Sequence, residues 1–264
     1  MRSDLGFYLI DHRLIALMML IVLAAACEIG YRAGSRKQAA SDSFRSLMNG
    51  IGAATLGLLG LLLGFTLSMA IARWDARRDV IVNESNAIGT LWLRCGFLDE
   101  PLRGELRDAL REYTDARIAL GVSRGDLDEL QAARSKSETL HTTIWSAVER
   151  VDRPGTSPAI LSSLITAANE LIDLHELRLA SIQNYLPTSL LLLLLGMATI
   201  AVGFLAWSFG ATGQGGRTAM LLLSLLIATV LALIMDVNRP QRGSIGVGVS
   251  TLERIQESIS APMP

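Results

Sequence analysis

Cysteine and histidine are scarce, with two and three copies in 264 residues. Cys27 lies in an apolar run and Cys95 in a mixed polar stretch, which makes neither a disulfide framework nor a metal-ligand pattern. His12, His141 and His175 have no Cys, His or carboxylate at ligand spacing beyond Glu176, so no metal and no cofactor is expected. A nucleophile motif of the GxSxG type and a phosphate loop are both missing, and Gly243, Gly246 and Gly248 follow an apolar run rather than a strand. Enzyme chemistry is therefore not expected. Strand-like alternation and internal repeats are also lacking, which leaves an all-helical chain. The net charge of −1 is uninformative, but residues 73–184 hold 14 Lys/Arg against 18 Asp/Glu. A nucleic-acid binder would show the opposite balance in its soluble part, so nucleic acid is not an expected partner.

Hydrophobic residues make up 50% of the chain, with a mean hydropathy of +0.39. They cluster into four stretches, near 13–31, 48–72, 185–208 and 218–236, and about 20 apolar residues suffice to cross a bilayer as a helix. The second stretch is the plainest, because Met48–Ala72 contains no formal charge and Arg73, Asp75, Arg77 and Arg78 then follow. No Gly or Pro interrupts from Arg73 to Gly89, so the spanning helix is expected to continue into water as a rigid stalk. The first stretch has a rival reading, since Leu23-Ala-Ala-Ala-Cys27 ends a short apolar run as in a lipoprotein signal; Asp4, Asp11 and Ala24 fit that pattern poorly. Four spans place both termini on one side with residues 73–184. That side carries eight arginines near the span ends against five basic residues opposite, which assigns the termini and the middle domain to the cytoplasm.

The expected organisation is an all-α membrane protein: spans one and two in 1–72, a cytosolic helical domain in 73–184 inserted between spans two and three, spans three and four in 185–238, and a cytosolic tail in 239–264. Within the domain, Pro101 opens a second helix bearing Leu102, Leu106, Leu110 and Tyr113. A break is expected at Gly121–Gly125 and a turn at Pro154-Gly155, with Ser157 as N-cap and Pro158 at the first position of the next helix. Pro187 is expected to kink the helix where it enters the membrane. Ser250 and Glu253 form a capping-box signature for a short terminal helix with Leu252, Ile255 and Ile259 on one side.

Span two carries the candidate site. Gly60 and Gly64 form a GxxxG pair, which lets two helices approach closely in lipid, either within the chain or between subunits. Gly57, Leu61, Phe65, Met69 and Arg73 recur every four residues on roughly one face. Around a symmetry axis, Leu61 and Phe65 would form an apolar ring that gates by dewetting, with Arg73, Trp74 and Arg77 at the cytosolic mouth. The same row also fits a lipid-facing or core stripe. Glu28 and Asp236 lie near span ends with Arg32 and Arg239 one turn on, as interface anchors do.

Leu63-Gly64-Phe65, followed by Arg73-Trp74, resembles the second spanning helix of bestrophins, and Ile234-Met235-Asp236-Val237-Asn238-Arg239-Pro240 resembles their exit from the last span. With GFTLSMAIARWDARRD and IMDVNRP, nearly the whole chain resembles the bacterial bestrophin-like family. The resemblance implies a pentameric ion channel of the bacterial inner membrane whose partners are membrane lipid, inorganic ions and further copies of itself. It places a hydrophobic neck at Gly57, Leu61 and Phe65, where Gly57 departs from the family pattern by offering no apolar side chain. It does not carry calcium gating across, because Gln241–Gly246 holds no carboxylate. Two functions remain open on the sequence: a channel lined by span two, and a non-conducting membrane scaffold or signalling protein that docks a partner on residues 73–184.

Overall fold

The structure is a computed structural model, and it describes residues 12–36, 42–123, 127–152, 157–213, 216–239 and 245–261. These residues form eight α-helices: α1 (His12–Ser35), α2 (Asp42–Arg94), α3 (Leu102–Val122), α4 (Leu127–Glu149), α5 (Pro158–Gln183), α6 (Thr188–Thr212), α7 (Arg217–Val237) and α8 (Ser250–Ser260). A single 3-10 turn, Cys95–Phe97, follows α2. Among the described residues there is no strand. Four helices are long and apolar enough to cross a membrane, and they lie in the regions where the uncharged runs place them. The chain forms two compact units, one of residues 1–72, 185–239 and 243–245, the other of 73–184, 240–242 and 246–264. Helix α2 gives its residues up to Ala72 to the first unit and its residues from Arg73 to the second.

In the first unit, α1 packs along α6 and α7. Glycine makes the α1–α6 crossing close. A Cβ on Gly30 would collide with the Gly203 carbonyl oxygen, one on Gly34 with that of Trp207, and one on Gly210 with that of Tyr31. Gly30 and Gly34 are themselves a GxxxG pair, and they do in α1 what such pairs do in lipid, bringing backbone against backbone. Cys27 is fully buried in the middle of α1, which continues for two more turns. Glu28 accepts from Arg32 Nε at 2.6 Å and from both Arg217 Nε and Nη2, so the carboxylate ties α1 to the start of α7.

In the second unit, α3 packs on α4 and α8, and α4 packs on α5. The core gathers Leu91, Leu106, Leu110, Ile144, Leu164 and Leu171. Leu252 and Ile259 of α8 are buried in it, and Arg111 Nε donates to the Ile259 carbonyl oxygen at 3.1 Å.

Two local expectations need correction. Pro187 does not kink a continuous helix: α5 ends at Gln183 and α6 starts at Thr188. Proline lacks an N–H and disfavours helical backbone in the residue before it, and the Leu186 N–H goes to Asn238 Oδ1 at 3.2 Å instead. The break expected over Gly121–Gly125 falls between α3, which ends at Val122, and α4, which starts at Leu127; Gly121 itself is still helical, and a Cβ there would strike Val249. Ser250 is the first residue of α8 rather than its cap, a position held by Val249, whose carbonyl accepts from Glu253 N. Ser157 does precede Pro158 as the N-cap of α5, without a side-chain hydrogen bond. Gly125, Pro154-Gly155 and the stretch from Pro240 to Ser244 lie outside the described residues.

Candidate functional site

The spanning part of α2 has two contrasting faces. Gly52, Leu59, Thr66 and Ala70 are buried, and their spacing of seven and four marks one inward stripe. Gly52 meets the Leu205 side chain, and the Phe44 ring meets Trp207 edge-on with centroids 5.4 Å apart. At 100° per residue, Leu61 and Phe65 fall far round the helix from that stripe and Met69 at its flank, and they are 55%, 62% and 43% exposed. Gly57, Gly60 and Gly64 are exposed as well, and a Cβ on any of them would meet nothing within 4 Å. The close intrachain packing thus belongs to Gly30 and Gly34, and the second GxxxG pair is unused among the described residues. The window that α2 offers to a membrane is also the least buried of the four.

Beyond Ala72, the polar members of the site diverge. Arg73 and Trp74 are half-buried, and Arg73 Nη1 and Trp74 Nε1 have no hydrogen-bond partner among the described residues. Arg77 is buried, with Nε donating to the Ser181 carbonyl at 3.1 Å and Nη2 to that of Asn184 at 2.8 Å. It caps the end of α5, whose last carbonyls lack helical partners.

The second unit also holds a buried polar cluster that periodicity alone did not flag. Glu84 of α2, fully buried, accepts from Arg117 Nε at 2.5 Å, Arg178 Nη1 at 2.6 Å and the Tyr113 hydroxyl at 2.9 Å. Arg117 Nη1 lies 2.9 Å from His175 Nδ1, and a guanidinium can only donate, so Nδ1 accepts and the proton sits on Nε2. The His175 and His141 rings meet edge to face with centroids 4.4 Å apart. Burial pushes the Glu84 carboxyl up, but Arg178 and Arg117 outweigh it and hold it below the usual range. Burial and then Glu84 push the Tyr113 hydroxyl well up. Burial, reinforced by Arg117, takes His141 down to about 4 and His175 to about 3. A visible signal existed: Glu84, Arg117 and His175 each continue an apolar helical row (Ile81–Glu84–Ile88, Tyr113–Arg117–Leu120, Ala168–Leu171–His175), so polar residues occupy core positions. Among the described residues, no group of three or more His, Cys, Asp or Glu converges as a metal site would.

This arrangement of four apolar helices with a helical unit built on residues 73–184 can be set against known proteins. The family model described as a Bestrophin-like domain matches residues 18–252. The chain belongs to the bestrophin-like family. No curated protein matches it. Among solved structures, it is similar to a bacterial bestrophin homologue from Klebsiella pneumoniae solved by zinc SAD phasing, with a TM-score of 0.67 at 13% identity, covering 92% of this chain and 96% of the homologue. A mutant form of that homologue gives a TM-score of 0.70 at 12% identity, covering 94% and 99%. A crystal structure described only as a mutant membrane protein gives 0.64 at 13%, covering 92% and 97%. At these identities the likeness concerns the bestrophin fold, and it extends over nearly the whole of this bestrophin-like chain.

Proposed function

We propose that the protein is an oligomeric ion channel, pentameric by family resemblance, that sits in the bacterial inner membrane with residues 73–184 in the cytoplasm. The exposed face of α2 lines the pore. Leu61 and Phe65 form its apolar constriction, flanked by Gly57 and Met69, with Arg73 and Trp74 at the mouth. The observation that carries this reading is the exposure of the Leu61–Phe65–Met69 row on a helix whose opposite face is buried, in a chain of the bestrophin-like family. An apolar ring of this kind blocks ions by excluding water, so shortening it should ease passage. The hydrogen bonds of Arg77 to the end of α5 favour an anchoring role over the place at the mouth that its spacing suggests.

Ion flux into liposomes containing the purified protein tests the proposal, with Phe65→Ala alongside. Protein-dependent flux that rises several-fold in Phe65→Ala is the expected result. Flux unchanged by the substitution would remove the constriction from α2. The exposed Leu93 in the last turn of α2 and Phe97 in the 3-10 turn after it favour a second reading, a scaffold that docks a partner on residues 73–184. Absence of flux from a folded oligomer of either form would select it.

A further inference from the structure

Among the described residues, the Glu84 cluster holds more positive than negative charge. Arg117 and Arg178 are both buried and share one carboxylate, while the Tyr113 phenol and the two imidazoles are neutral. Glu84 is the one buried carboxylate among the described residues of this unit. A buried guanidinium without a counter-charge carries a heavy desolvation penalty, so the fold is expected to supply an anion. Arg178 also lines a cavity of about 30 Å³, together with Arg77, Ser181, Gly121 and the apolar side chains of Ile81 and Leu120. That volume matches one water or one monatomic ion. Gly121 keeps the wall open, because a Cβ there would come within 3.2 Å of Arg178 Nη2. We propose that this cavity binds a single halide-sized anion, chloride in the cell, between the guanidiniums of Arg77 and Arg178. The anion would balance the cluster's excess charge and bridge α2 to α5 within the unit. The proposal does not depend on whether the protein conducts ions, or on which sign.

The test uses the full-length protein in detergent, with sodium bromide replacing sodium gluconate at constant total salt. A saturable rise in melting temperature with bromide is expected, because a ligand that binds only the folded state stabilises it. Arg77→Gln should abolish the rise. If that variant does not fold, bromide anomalous scattering from wild-type crystals decides, with a peak expected between Arg77 and Arg178. Equal melting in the two salts would overturn the proposal, as would a rise that fails to saturate and persists in Arg77→Gln, or a cavity holding only water.

Discussion

His175 is held neutral by its donor. Arg117 Nη1 points at Nδ1, so a second proton on the ring would face a guanidinium at 2.9 Å in a fully buried site. The groups around the imidazole pair are Arg117 and Tyr113 on α3, Glu84 on α2, Glu176 and Arg178 on α5, and Arg134 and Glu138 on α4. An unfolded chain lets both histidines protonate near pH 6.5, whereas the folded one resists down to about 4 for His141 and about 3 for His175. The unfolded state therefore binds more protons below pH 6.5, and folding stability falls with pH across that window. The expected outcome is a melting temperature that is flat above pH 7 and declines from 6.5 toward 4. His141→Phe, which keeps an aromatic ring against Tyr113 and His175, should shallow the decline. An unchanged slope in that variant would mean that carboxylates set the acid limit. Sequence spacing puts Glu84, Arg117 and His175 at core positions of their own helices, but dozens of residues separate them, so spacing does not show that they meet.

At the scale of elements, composition carries further. Uninterrupted apolar length decides a spanning helix, and Met48–Ala72 has no charge to place in lipid, so its helix follows from the sequence. Which helices touch does not follow so directly. Span two looks glycine-rich and ready to pack, yet the backbone contact falls to Gly30 and Gly34 of α1, because only there do carbonyl groups of α6 occupy the space that a side chain would need. Pro187 shows the same limit: the residue announces an interruption, but Asn238, fifty positions on, receives the freed N–H and permits a full break. The packing contrast is testable. Gly34→Ala puts a methyl against the Trp207 carbonyl, a backbone atom that cannot rotate aside, and should destabilise the protein by about 1–3 kcal/mol. Gly57→Ala meets nothing within 4 Å and removes a helix-weakening glycine, so the melting temperature should hold or rise. Equal melting of the two variants, measured in one detergent, would place the α1–α6 crossing elsewhere.

At the scale of the molecule, the exposed face of α2 does not by itself demand a partner. Lipid tails are as apolar as leucine, so Leu61 and Phe65 lose nothing by facing them. The small residues make the stronger argument. Gly57, Gly60 and Gly64 offer lipid no side chain, and they weaken a helix by roughly 1 kcal/mol each relative to alanine. Their use is close approach by another helix, and among the described residues no helix takes it. Copies of α2 packed side by side would use them, with Gly60 and Gly64 at the contact and Leu61 and Phe65 turned toward the axis. On that argument, Gly60→Leu combined with Gly64→Leu should shift the assembly toward smaller species than wild type in mass photometry or native mass spectrometry. Its helical content by circular dichroism should match that of wild type, since no contact among the described residues is altered. An assembly unchanged in the double variant would put these glycines against lipid and remove the packing argument for α2 at the pore.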